Sequence, residues 1–228
     1  MAKRGLFFAL EGGDGSGKGT QAKLLVDNLR QEGRNVLHLT FPRYGMRSAV
    51  MVERYLRGEF GEANDVSAWL AAAAFALDRV AASPDINDFL DADPDNIAIT
   101  DRFVLSNASH QATKIASPEE RTRFYDFLMR LEYDDLRVPR PTTNAVLLVP
   151  TAAAQANVDQ KAERSYTQDK RDIHERDGNH LDNALRNYQE IAEQYPDEVT
   201  AIWAYDREVG HMRSIEEIQA EIRSIFGI

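Results

Sequence analysis

The chain alternates two kinds of apolar pattern: short unbroken runs of strand length, and longer stretches with an apolar stripe every three or four residues. Leu6 to Leu10 is the first short run and fits a buried parallel strand. Gln21 to Leu29 follows with Ala22, Leu25, Val26 and Leu29 on one helical stripe, and Gly33 is its stop signal. Val36, Leu37 and Leu39 within Asn35 to Thr40 mark a second strand, so the chain opens on a βαβ unit. Arg47 to Gly58 reads as a polar helix. Asn64 to Ala82, with Trp69, Leu70, four alanines, Phe75 and Leu77, reads as a far more apolar one, buried on most sides and ended by Pro84.

A short helix at Asp88 to Ala92 then leads to a third brief strand, Asn96 to Thr100. Phe103 to Ile115 and Pro118 to Glu132 are the next two helices. Asn144 to Val149 is the fourth and most apolar strand, Val199 to Trp203 the fifth, and Ile215 to Phe226 a closing helix. Strands alternating with helices predict a three-layer α/β fold, with a parallel sheet of about five strands and helices on both faces. No repeat or low-complexity linker interrupts the pattern, so residues 1–228 are expected to form one domain.

The turn between the first strand and helix is Gly12, Gly13, Asp14, Gly15, Ser16, Gly17, Lys18, Gly19, Thr20. Glycines there let successive backbone N–H groups face phosphate oxygens, the helix N-terminus adds partial positive charge, and Lys18 adds a full one. The stretch reads as a P-loop for ATP, with one departure: Gly19 stands where Ser or Thr is usual. Mg²⁺ would then be held by Thr20, by an acid elsewhere, or mainly by water and phosphate.

Composition narrows the partners. The 228 residues carry a formal charge of -10, which argues against a nucleic acid backbone as the main partner. No cysteine is present, so disulfides and thiolate metal sites are excluded. No apolar run approaches the ~20 residues of a membrane span, and the chain enters a strand at once, so a cytoplasmic protein without a signal peptide is expected.

Polar residues at the predicted strand ends are candidate site groups. Phe41, Pro42, Arg43, Tyr44 and Gly45 follow the second strand, where a ligand crevice lies in such sheets, although a turn with a core Phe accounts for them equally well. Asp78 and Arg79 sit at the end of a buried helix and are either paired with each other or with backbone, or aimed at a ligand. Asp101 and Arg102 close the third strand, an acid placed for a metal and a cation placed for an anion. Asp159 to Asp177 is the most charged stretch, either a solvated helical surface or a lid whose arginines close over phosphates.

Taken in order, Gly-Gly-Asp-Gly-Ser-Gly-Lys at 12 to 18, Phe-Pro-Arg-Tyr-Gly at 41 to 45, Phe-Ala-Leu-Asp-Arg at 75 to 79, Asp-Arg-Phe-Val-Leu-Ser-Asn at 101 to 107 and Glu-Arg-Asp at 175 to 177 form a specific set. With it the chain resembles the bacterial thymidylate kinases of the nucleoside monophosphate kinase superfamily over nearly its whole length. The resemblance implies a transferase of dTTP biosynthesis that moves a phosphoryl group from ATP to dTMP with Mg²⁺, acting as a homodimer. It implies that Lys18 and the P-loop amides hold the ATP phosphates, while Asp14 contacts the acceptor sugar or its metal. Phe41 would stack on thymine, Arg79 and Asn107 would read the base, and Arg43 with Arg102 would hold the acceptor phosphate beside Tyr44. Asp101 matches the metal-site acid. Arg164 and Arg171 are the candidate lid arginines, in a lid of about 159–177, and the monophosphate-binding region spans about 41–83.

His110 and His174 stand where the family commonly has tyrosines, beside the sugar and before Glu175, so sugar selectivity is the property these departures touch. Kinases of dUMP, AMP or a nucleoside are the near alternatives, and a regulatory nucleotide-binding module is the distant one. A GTPase reading lacks an Asn-Lys-x-Asp guanine reader.

Overall fold

The computed structural model describes residues 4–164 and 179–228. Five strands, β1 (Leu6–Gly12), β2 (Val36–Thr40), β3 (Ile97–Asp101), β4 (Thr143–Leu148) and β5 (Val199–Trp203), form one sheet in the order β2-β3-β1-β4-β5. All four pairings are parallel. The register puts Leu10 beside Asp101 and Gly12 beside Leu147, so the P-loop and Asp101 leave the sheet together at its carboxyl edge. Period-two alternation along β1 sends Phe7 and Ala9 into one core and Phe8 and Leu10 into the other.

The Phe8 face is covered by α1 (Lys18–Gln31) and α8 (Ile215–Phe226), where Phe8 stacks on Phe226 at 4.2 Å between ring centres. Helices α3 (Ala68–Ala92), α4 (Val104–Ala112), α5 (Pro118–Met129) and α7 (His180–Gln194) cover the Phe7 face. A smaller cluster of Val52, Tyr55, Leu56, Val66 and Ala71 packs α2 (Val50–Leu56) against α3. No described helix is long and apolar enough to cross a membrane.

The expected break at Pro84 does not occur. Helix α3 runs 25 residues through it and absorbs the separate helix expected at Asp88 to Ala92. The stripe Arg79, Ser83, Ile86 and Leu90 is buried on both sides of the proline, so packing along the helix outweighs the one missing amide. Pro84 itself is exposed, and Ser83 Oγ donates to Arg79 O at 2.8 Å. Elsewhere α4 is shorter than expected, ending at Ala112, and α5 passes into a π-helical turn, Arg130–Asp135. Helices α6 (Thr151–Arg164) and α7 and the small hairpin of β6 (Tyr205–Asp206) and β7 (His211–Met212) were not expected as elements.

Candidate active site

The P-loop bends because its glycines adopt left-handed backbone, with φ of 75° at Gly15 and 87° at Gly17. At Gly15 space is the second constraint: a Cβ would fall 2.0 Å from Ala154 O, because the start of α6 packs onto the loop. Asn157 Nδ2 fixes that contact by donating to Gly15 O at 2.8 Å. Lys18 is buried, with Nζ donating to Gly13 O at 3.1 Å and 3.9 Å from Asp14 Oδ1. Burial, reinforced by Arg102, pushes its ammonium down to about 8. Thr20 points to the exposed side of α1.

Beside the loop lies a cavity of about 230 Å³, with Asp14, Phe41, Tyr44, Arg79, Arg102, Asn107 and His110 in its wall. Seven of the expected acceptor-side residues are therefore gathered in one place. Phe41 is buried edge-on against Phe103, their ring centres 5.4 Å apart. Arg102 has a left-handed backbone, φ 66°, and turns its guanidinium back across the P-loop. Its Nη2 donates to Asp14 Oδ1 at 2.6 Å, and its Nη1 meets Gly12 O at 3.2 Å, Ser106 Oγ at 3.3 Å and His110 Nε2 at 3.2 Å. Burial opposes the charge on Asp14, but Arg102 and Lys18 hold its carboxyl far below the usual range.

Asp78 and Arg79 do not pair with each other. Asp78 accepts from Arg43, at 3.0 Å from Nε and 2.7 Å from the backbone N, and from Ser48 Oγ at 2.6 Å. Arg43 is thereby turned toward Asp78 and is not among the cavity walls. Arg79, 2 % exposed, forms a two-pronged ion pair with Glu132, its Nη2 donating to Oε1 at 2.6 Å. Burial works against the Arg79 charge and Glu132 restores it, so the guanidinium stays fully protonated. Asn107 Nδ2 donates to the same carboxylate at 3.0 Å and to Ala72 O at 3.0 Å, while its buried Oδ1 has no partner among the described residues. Glu132 escaped the sequence reading, although an acid inside Phe127, Leu128, Met129, Leu131 and Tyr133 is a signal that a buried cation faces it.

Glu11, Tyr188 and His180 also hold the site and were not foreseen. Glu11 is fully buried and accepts from the N–H groups of Phe103 and Leu105, each at 3.0 Å, and from Ser106 Oγ. Burial raises its pKa against those bonds. Tyr188 donates to Gly12 O at 3.2 Å. Both Tyr188 and His180 belong to α7, whose stripe Leu181, Ala184, Leu185, Tyr188, Ile191 is legible in the sequence. Arg171, His174 and Glu175 lie outside the described residues, as does the side chain of Arg164.

Among the described residues a metal has a narrow set of protein donors here. Among the described residues no group of three His, Asp or Glu could hold one. Asp101 Oδ1 is buried without a hydrogen-bond partner, and Oδ2 lies 3.0 Å from where a Cβ on Gly19 would stand. Asp14 is committed to Arg102. A single free carboxylate among the described residues suits Mg²⁺, an ion that keeps several waters and is commonly held by one or two carboxylates with substrate phosphates.

Three comparisons bear on this arrangement. A thymidylate kinase of Mycobacterium tuberculosis is 32% identical over 190 residues, 83% of this chain and 86% of that protein. A probable thymidylate kinase of Pyrococcus abyssi is 26% identical over 220 residues, 96% of this chain and 94% of its own. The solved structure of thymidylate kinase from Candida albicans matches 98% of this chain and 92% of its own with a TM-score of 0.70, a likeness of fold at 17% identity. The family model described as thymidylate kinase matches residues 10–215, from inside β1 to the first residue of α8, and with the P-loop and its adjoining cavity inside that span the chain belongs to the thymidylate kinase family.

Proposed function

We propose that the protein transfers the γ-phosphoryl group of ATP to dTMP, giving ADP and dTDP. One observation carries the reading: Asp14 is at once a P-loop residue and a wall of the cavity, so a donor on the loop and an acceptor in the cavity meet at the same point. A kinase of two anions needs alignment and charge neutralisation more than a covalent participant. Lys18 supplies one cation on the donor side and Arg102 another at the junction. Phe41 offers a ring edge or face to a base, and Asn107 Oδ1 offers a bare acceptor to a base N–H. Arg79 is already neutralised by Glu132, so it reads a base carbonyl without adding net charge to the pocket.

No general base is required, because the acceptor phosphate is already ionised; one of its oxygens attacks phosphorus in line as ADP leaves. Asp101 would hold Mg²⁺, which would supply positive charge to offset that of the donor phosphates. Residues 1–228 act as one unit, with about 41–83 forming the acceptor-binding region. A homodimer in the cytoplasm is the working form, supported by an exposed apolar stripe on α3 and α5.

The deciding experiment is a panel of nucleoside monophosphates with ATP and Mg²⁺, read as ADP release. dTMP should give the highest kcat/KM, and Lys18→Ala should abolish transfer while remaining folded, since an electrostatic group of this kind contributes about a hundredfold or more to the rate. A higher kcat/KM for dUMP or AMP would reassign the acceptor. Activity of Lys18→Ala within about tenfold of the parent would remove the P-loop from the reaction.

A further inference from the structure

His110 and His180 form a hydrogen-bonded pair at the back of the cavity, with His110 Nδ1 2.9 Å from His180 Nε2, the ring centres 5.2 Å apart and the ring planes inclined by 25°, so the rings meet end to end. His180 is 3 % exposed and is the first residue of α7. The α4–α7 contact around them is fixed by Asn187 Nδ2 donating to Ser109 O at 2.7 Å and Ser109 Oγ donating to Ala184 O at 2.9 Å. The pair is thus built into a rigid seam.

The direction of each bond follows from chemistry. A guanidinium only donates, so His110 Nε2, 3.2 Å from Arg102 Nη1, must accept and carries no hydrogen. A neutral His110 then has its proton on Nδ1 and donates it to His180 Nε2. His180 in turn carries its proton on Nδ1, which faces Thr113 Oγ1 at 3.4 Å, and Thr113 Oγ1 donates to His110 O at 2.8 Å. Each of these bonds thus has a direction, and the series ends on Arg102, whose other hand holds Asp14.

We propose that His180 is a positioning residue for the acceptor site: it fixes the tautomer of His110 and, through it, the orientation of Arg102. The proposal rests on the assignment of the cavity to dTMP. Its consequence for His110 is that both ring nitrogens are engaged by protein, so this histidine acts on the acceptor through Arg102 and by its shape. Discrimination between sugars at this wall is therefore a matter of where Arg102 and Asp14 are held.

Two measurements test it together. In ¹⁵N-histidine-labelled protein, His110 should show a bare Nε2 and a protonated Nδ1; a proton on Nε2 overturns the series. Kinetics then compare His180→Leu, which removes the acceptor, with His180→Gln, whose amide oxygen can take the place of Nε2. His180→Leu should raise KM for dTMP about fivefold, the effect of one ordinary hydrogen bond, with KM for ATP unchanged. His180→Gln should stay within about twofold of the parent. Equal behaviour of the two variants overturns the positioning role, since a purely structural effect has no reason to follow acceptor chemistry. A parent with the expected tautomer that neither binds nor phosphorylates dTMP overturns the acceptor assignment, and the role of His180 with it, while the tautomer series stands.

Discussion

Lys18 shows how far the chemistry of a single residue departs from its free value. With its ammonium buried beside Arg102 and pushed down to about 8, the nucleotide-free enzyme holds this proton only partly at pH 8. Phosphate oxygens favour the charged form, so ATP binding should restore the proton. Calorimetric titration of ATP at pH 8 in buffers of different ionisation enthalpy should show net proton uptake of roughly half a proton, fading toward pH 6.5 where Lys18 is already charged. Equal uptake at the two pH values would mean that Lys18 is not the phosphate lysine. The stability sign runs the other way: between about 8 and 10.5 the unfolded chain binds this proton and the folded one does not, so stability gained from Lys18 rises with pH across that window. Much of this was legible in the sequence, because the spacing of glycines around Lys18 states its chemistry. The partner of Arg79 was not, since Glu132 lies 53 positions away and nothing local joins them. Sequence marks a buried charge as needing a partner and leaves the choice to tertiary structure.

At the scale of elements, strands were easier to read than helix ends. All five strands of the sheet were legible from short apolar runs, most clearly β1, β3 and β4, where burial on both faces leaves little room for polar residues. Helix ends depend on local signals, and at Pro84 the local signal lost to packing. The proline withholds one amide from the carbonyl ladder of α3, on the side facing solvent, and gives no core contact in return. Pro84→Ala should therefore stabilise the protein by about 1–3 kcal/mol, with unchanged KM for either substrate, since the helix already holds helical geometry through this turn. Chemical denaturation followed by circular dichroism measures it. A loss of stability would show that the proline's restriction of the unfolded chain outweighs the missing bond. Helix α7 was missed for another reason: its N-terminus adjoins the most charged stretch of the chain, whose alternating signs mask the apolar stripe that begins at Leu181. With α7 went Tyr188 and His180, two of the groups that hold the P-loop and Arg102 in place.

For the whole molecule, a net charge of -10 and a site that binds two anions are reconciled by geometry. Lys18 lies in the P-loop and Arg79 and Arg102 in the wall of the adjoining cavity, Arg79 paired with Glu132 and Arg102 with Asp14, and the low-dielectric walls strengthen the local field that a phosphate meets there whatever the global sum. The apolar surface is uneven in the same way. Leu70 is 67% exposed, Leu77 54%, Phe127 41% and Trp69 39%, and all four lie on α3 and α5. Trp69 packs edge-on against Phe127 at 4.6 Å, which joins the two helices into one continuous face. An apolar face of that kind suits an association surface, and the proposed homodimer would supply a second copy to cover it. Burying two leucines contributes ~1.5–3 kcal/mol each, so Leu70→Asp with Leu77→Asp should weaken self-association by at least about a hundredfold. Sedimentation velocity at micromolar protein should show the parent at twice the chain mass and the double variant at the chain mass, with both folded by circular dichroism. Helix α3 also carries Asp78 and Arg79, on turns adjoining Leu77, so loss of the partner should loosen the acceptor wall and raise KM for dTMP more than KM for ATP. A parent that sediments as a monomer, or a double variant that still dimerises, would assign this face to something other than a second copy of the chain.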